Sequence, residues 1–290
     1  IIKGSFRHAR KTVLLASLLL VLSLTSSPEG QNTPEFIKNR PNYILAVLPQ
    51  FPPVEVYKRW TPLVERLSKE LGINIQLKVY QKTQEFEADV LKGVPDFALV
   101  NPYFAIQAKG AQGYTPLVRD KKSIRGIIFV RRDSPIDSIQ RLNDKEVAFV
   151  GSKTICSLLL GYELSKGKIY FTPRYMGTSS NVYRAVILDK APAGGTLDTS
   201  LKREPAAVGS QLRIIYETPM IASHPLMAHP RVSEGLRQAV LDTVLQLAGD
   251  KNNHNIFEEI LMLKPVKADY QRDYAPLEKL KLEKYIFGGE

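Results

Sequence analysis

The sequence is poor in the residues that usually announce chemistry. A single cysteine, Cys156, stands among 290 residues, so no intramolecular disulfide can form and no framework of bridges can hold the fold. That cysteine lies far from the N-terminal apolar run, which excludes a lipid-attachment cysteine directly after the run. Its setting, "TICSLLL", marks a small buried thiol rather than a nucleophile, because nothing nearby would lower its pKa. Histidine is scarce too: His8 belongs to the N-terminal segment, His224 and His229 sit among prolines, and His254 falls in a polar turn. No metal-ligand spacing arises, and the last three read as satisfied or surface side chains. No G-x-S-x-G elbow and no carboxylate pair at strand ends is present. An enzyme, a metal site and a bound cofactor therefore have no constellation to rest on.

Acidic charge is also in deficit, with 40 Lys+Arg against 29 Asp+Glu and a net charge of +11. The basic residues are dispersed, and "LKREP" and "RRD" are too short to form a nucleic-acid stripe. A solvated basic surface is expected, with no nucleic-acid partner and a general preference for anions. No apolar run reaches the ~20 residues of a membrane-spanning helix. The longest, Val13 to Leu24, follows Lys3, Arg7, Arg10 and Lys11 and precedes Thr25, Ser26 and Ser27. That basic, apolar, small-residue order is a secretory signal. Residues 1–30 are expected to direct export to the periplasm and to be removed; left uncleaved, they would anchor the protein.

What remains is long enough for a sizeable core and more than one lobe. Strand and helix signals alternate. "YILAVL" is a short apolar run, and "EVYKRWTPLVERLSKELG" has helical spacing, with Trp60, Leu63, Val64, Leu67 and Leu71 on one face and Gly72 as a stop. "INIQLKVY" alternates at period two, a helix follows over 84–92, and "DFALV" leads into a helix from Pro102. "YTPLVRD" and "GIIFVRR" read as strands. After the turn-rich "DSPIDSIQRLNDK", a second series runs through "EVAFV", a helix over 155–165, "IYFTPRY", a helix over 181–188 and "LRIIYE". "TPMIASHPLMAHP" reads as a return connection and the tail as helical. This βα alternation predicts two α/β lobes with mostly parallel sheets flanked by helices. The first lobe is expected to take 31–133 and 220–290 and the second 134–219, joined by two crossings near 132–140 and 217–223.

In such sheets ligands sit beyond the carboxyl ends of strands, in the loops that open helices. Four loops qualify. "GSKT" places Ser152, Lys153 and Thr154 between a strand and a helix, where unpaired amides and the helix dipole favour an anion. The competing reading is that Ser152 or Thr154 simply caps the helix. The order is not that of a nucleotide P-loop. "VNPYF" exposes Asn101 and Tyr103, although Pro102 at a first helical position is also ordinary helix-start chemistry. "PQFPPVEVYKRW" puts Tyr57 near a first helical turn, with Trp60 in the core. "YMGTSSNVYRAV" puts Thr178, Ser179 and Ser180 before another helix.

The order "W-x-P-L-x-x-x-L-x-x-x-L-G" from Trp60 to Gly72, then "PDFALVNPYF", "IIFVRRDSPIDSIQRLNDKEVAFV" and "GTSSNVYRAVILDKAPAGG", resembles the PhnD-type periplasmic binding proteins of phosphonate, phosphite and phosphate ABC transporters. The resemblance runs from about 43 to 248, and "RDSPIDSIQRLNDKEVAF" is its most specific piece. It implies a two-lobed type II binding-protein fold that closes at a hinge on a small anionic ligand, without catalysis. It also implies a monomer that serves a membrane permease. Ligand-contacting tyrosines of the family match Tyr57 and Tyr103, and its hydroxyl-rich turn matches Ser152, Lys153 and Thr154, altered by the lysine. Ser179 and Ser180 stand where the family has a histidine and an acidic residue, and Pro192 where it has an aspartate. Loss of acidic groups and gain of Lys153 would favour a more anionic or aromatic ligand. The same fold could instead report to a membrane histidine kinase, and an exported enzyme is the third alternative.

Overall fold

The computed structural model describes residues 40–287, so the expected signal over 1–30 lies outside the described residues. Strand β1 (Asn42–Val47) leads into α1 (Pro53–Leu71), followed by β2 (Asn74–Lys78), α2 (Thr83–Leu91), β3 (Phe97–Leu99), α3 (Pro102–Gln112) and β4 (Thr115–Asp120). The α1 face set by its apolar spacing buries Val56, Trp60, Leu63, Val64 and Leu67. Gly72 ends the helix at φ 64°, a left-handed conformation that costs glycine least.

The second series comprises β5 (Gly126–Arg131), β6 (Lys145–Phe149), α4 (Ile155–Lys166), β7 (Phe171–Tyr175), α5 (Ser179–Ile187), β8 (Ala193–Leu197) and β9 (Leu212–Glu217). The chain then returns through β10 (Pro225–Ala228), α6 (Glu234–Gly249) and β11 (Pro265–Lys267). Two sheets result, ordered β11-β4-β10-β3-β1-β2 and β7-β6-β8-β5-β9.

Both sheets are mixed, which corrects the expectation of mostly parallel ones. β1 pairs in parallel with β2 and β3, but β10 runs antiparallel between β3 and β4. β6 pairs in parallel with β7 and β8, but β5 lies antiparallel between β8 and β9. "PLMA" was hidden in what reads as a connection, because four residues between two prolines carry no period. Its four side chains are nonetheless all buried at the centre of the first sheet.

β5 also moves the first crossing. Residues Ile127 to Val130 are fully buried within the second sheet, so the chain changes lobes over 121–125 rather than 132–140. There it meets the return crossing, and Ile124 and Ile221 exchange two backbone hydrogen bonds of 2.9 Å.

A third segment also joins the lobes. Leu277 and Leu282 pack with Tyr103 and Ile124 and with Ile155, Leu158 and Leu159 of α4. Beyond them Tyr285 meets the Tyr162 ring at 5.5 Å and Phe287 the Phe171 ring at 5.3 Å. The Tyr175 hydroxyl donates to the Phe287 carbonyl at 2.7 Å.

Candidate functional site

In each sheet the connections leave a central parallel strand in opposite directions, between β1 and β3 in one and between β6 and β8 in the other. Such switch points open a crevice at the strands' carboxyl ends. The segments that follow β1, β3, β6 and β7 hold the expected site residues.

Around the start of α4 the hydroxyls turn inward. Thr154 holds the N-cap position but makes no side-chain cap. Its hydroxyl donates to the Gly151 carbonyl at 3.0 Å and shares a hydrogen bond with Ser157 at 2.7 Å. Ser152 is only 1% exposed. Lys153 reaches across to the other lobe, where its Nζ donates to Glu87 Oε2 of α2 at 2.8 Å. The cation expected to meet the ligand is thus opposed by a carboxylate that the sequence reading did not single out.

On the first lobe Asn101 is buried, and its side-chain oxygen accepts from the Phe104 amide at 2.8 Å, capping α3. Tyr103 is buried beside the α4 start. Burial raises its phenol above the ordinary value, and Glu283 and Glu87 add to the shift. It also lines a groove of ≈ 530 Å³ with Ile106, Lys109, Tyr270 and Glu283. Tyr57 stands on the first turns of α1, 55% exposed, with no phenol partner among the described residues.

The α5 start forms a second group. Thr178 caps the helix, accepting from the Asn181 amide at 3.2 Å. Ser180 donates to Glu204 at 2.9 Å, and Ser179 is half-buried. Sequence reasoning missed several neighbours of this group. Asp198, at the carboxyl end of β8, is 4% exposed and accepts from Lys202 Nζ at 2.9 Å and from the Arg125 amide at 3.3 Å. Tyr183 shares a hydrogen bond of 3.0 Å with Thr196. Arg203 is exposed, and its Nη2 donates to the Ser200 hydroxyl at 3.5 Å.

The one available signal for Asp198 was its place after "AGGTL", a strand disguised by two glycines. His224, expected to be satisfied or on the surface, is half-buried and makes no hydrogen bond among the described residues. Burial first, and Arg203 second, push its imidazole down to about 4. Cys156 is buried, and desolvation raises its thiol despite hydrogen bonds from Thr154 and Ser157, as its apolar setting led one to expect. Among the described residues no group of three or more His, Cys, Asp or Glu is arranged to hold a metal ion, and no helix is long and apolar enough to cross a membrane.

Residues 45–274 match the family model described as ABC transporter, phosphonate, periplasmic substrate-binding protein. No curated protein matches the sequence. Among solved structures the chain is similar to a Xanthomonas citri protein bound to ATP, at 17% identity and TM-score 0.73, covering 84% of this chain and 98% of that one. It is similar to PhnD1 from Prochlorococcus marinus in complex with methylphosphonate, at 16% identity and TM-score 0.73 over 84% and 98% of the two chains. A binding protein component of an ABC phosphonate transporter from Pseudomonas aeruginosa gives 13% identity and TM-score 0.71 over 85% and 87%. At these identities the likenesses establish the two-lobed binding-protein fold.

Proposed function

The chain belongs to the phosphonate family of periplasmic substrate-binding proteins of ABC transporters, and from that membership we propose that it captures a phosphonate or phosphate-like oxyanion between its lobes and delivers it to a membrane permease. The observation that carries this reading is the placement of α4 and α5. Both begin at the carboxyl ends of adjacent parallel strands, β6 and β7, with a hydroxyl-bearing turn at each start. Helix starts of this kind favour negative charge through unpaired amides and the helix dipole. Ser152, Lys153, Thr154, Thr178, Ser179 and Ser180 would line the second lobe's side, and Tyr57, Asn101 and Tyr103 the first lobe's.

The partners of these groups refine their roles. Asn101 and Thr178 hold their helix starts in place, Ser179 and Tyr57 keep hydroxyls for the ligand, and Lys153 holds Glu87 until the ligand arrives. The family is one of transport proteins rather than enzymes, and in this reading the chain performs no catalysis. It works as a monomer, exported by residues 1–30. Ser179, Ser180 and Pro192, at positions where the resemblance leads one to expect a histidine and acidic groups, favour one second reading: the same closing device serves a membrane histidine kinase.

The test is thermal unfolding of the protein with phosphate, phosphite, methylphosphonate, sulfonates, carboxylates and nucleotides. A ligand at 100 times its dissociation constant adds about 2.7 kcal/mol of stability. A rise in midpoint with phosphorus oxyanions and none with carboxylates is expected; a response to carboxylates or sulfonates alone would overturn the proposal. Titration with a purified permease or kinase domain in the presence of that ligand separates the two partner readings.

A further inference from the structure

A buried carboxylate reaches the expected site from the first lobe. Glu87 stands on α2, and Phe86 beside it meets the Phe104 ring at 6.0 Å, which holds α2 against the start of α3, where Asn101 and Tyr103 stand. Among the described residues the one side chain that donates to the Glu87 carboxylate comes from the other lobe: Lys153 Nζ, at 2.8 Å. That lysine belongs to the turn after β6, between Ser152 and Thr154, so the pair spans the place where both lobes present their expected ligand groups.

The other carboxylates near the site are committed within their own lobe. Asp198 accepts from Lys202 and from the Arg125 amide, and Glu204 accepts from Ser180. A buried carboxylate loses most of its hydration and needs a cation against it. Without ligand, Lys153 is that cation for Glu87.

Two kinds of phosphonate then meet different costs. One with an uncharged organic arm needs nothing from Glu87 and uses the hydroxyls and free amides of the helix starts. One with an ammonium on a short arm brings a second cation to a carboxylate that is already matched. Either the two ammoniums repel, or the ligand drives Lys153 into solvent and the exchange gains no new ion pair.

We propose that Lys153, through its pair with Glu87, is a specificity determinant that turns the cleft against amine-bearing phosphonates, because the protein itself supplies the ammonium that such a ligand would bring. The ligands it accepts carry an oxyanion head and an uncharged arm. This rests on the proposed function and names the substrate class within it. A selector of this kind differs from a mere tie between the lobes in what it does to a ratio of affinities. Loss of a tie weakens every ligand alike, whereas loss of the selector favours one ligand over another.

The test is isothermal calorimetry at pH 8 with ethylphosphonate and 2-aminoethylphosphonate, which differ by one ammonium. The proteins are the wild type, Lys153→Met, Lys153→Gln and the double variant Lys153→Met/Glu87→Gln. The wild type is expected to prefer ethylphosphonate by about tenfold or more. Lys153→Met leaves Glu87 open to the ligand's amine and should move the ratio of the two dissociation constants about tenfold toward 2-aminoethylphosphonate. Lys153→Gln, which keeps a donor to Glu87 without the charge, should give a smaller shift of the same sign. The double variant, with no carboxylate left, should return the preference to ethylphosphonate. A ratio that neither single variant moves, or one moved equally in the double variant, would overturn the selector while leaving the proposed function standing. A wild type that prefers 2-aminoethylphosphonate would overturn it too. If the wild type binds neither phosphonate nor inorganic phosphate, the proposed function falls and the selector with it.

Discussion

Lys153 of the second lobe and Glu87 of the first are joined at 2.8 Å across the cleft, the lysine 40% exposed and the glutamate 9%. The pair ties α2 to the start of α4 and so favours the closed arrangement in the absence of ligand. An exposed partner limits its worth, and a coupling energy of ~1 kcal/mol is expected in a double-mutant cycle of Lys153→Met and Glu87→Gln. The two roles open to Lys153 give opposite signs. As a latch, Glu87→Gln enlarges the ligand-free radius of gyration in solution scattering and weakens anion binding slightly. If Lys153 met the ligand directly, removing the opposing carboxylate would tighten anion binding, and tighter binding would refute the latch.

Gly195 sits where no side chain fits. A Cβ there would lie 2.4 Å from Phe149 Cε1 and 2.7 Å from Leu160 Cδ1, and Gly194 is as confined, against Phe129 and Val182 at 2.7 Å. β8 is thus a central strand with two successive residues lacking side chains, over which Phe129 and Phe149 close. Gly195→Ala should cost ~1–3 kcal/mol by overpacking, measured by urea unfolding. Adding Phe149→Leu should recover part of the loss. An unchanged midpoint in Gly195→Ala would mean that the core around Phe149 is loosely packed.

The same glycines explain what the sequence left hidden. Trp60 and Leu67 announce α1 through spacing that only a helix repeats, and the two-lobed order follows from alternating runs of that kind. "AGGTL" has no period and no strand-forming bulk, and "PLMA" is short and fenced by proline, yet these are central strands placed by tertiary packing. At the site, chain position revealed the helix starts, because Thr178 and Asn101 follow strands directly. Glu87 meets Lys153 through a contact between segments far apart in the chain. No local pattern in a helix face or a loop can record such a partner.

The segment ending at Phe287 should restrain opening. It leaves the first lobe at Leu277 and fixes itself to the second through Leu282, the Tyr285 and Phe287 rings and the Tyr175 hydroxyl. Phe287→Ala should remove the ring contact with Phe171 and Tyr285 at a stability cost of ~1–3 kcal/mol, below that of a fully buried aromatic because the ring is half-buried. It should also raise amide exchange in 155–166 and widen the spread of ligand-free distances between spin labels placed on the two lobes. Equal spreads would show that the two hinge crossings alone set the opening.

His224 makes stability depend on pH in a predictable direction. Its imidazole is held at about 4 in the folded protein by burial and by Arg203, against ~6.5 in an unfolded chain. Above pH ~6.5 it is neutral in both states, and its neutral form fits the fold without penalty. Between ~6.5 and 4 the unfolded chain binds the proton and the folded one does not, so stability falls with falling pH by ~2–3 kcal/mol over that window. His229, also lowered by burial, adds a slope of the same sign. The unfolding free energy of His224→Gln should therefore be flatter from pH 7 to 4.5 than that of the wild type, though not level. A wild-type curve parallel to that of His224→Gln would show that the ring is charged or solvated in the folded protein.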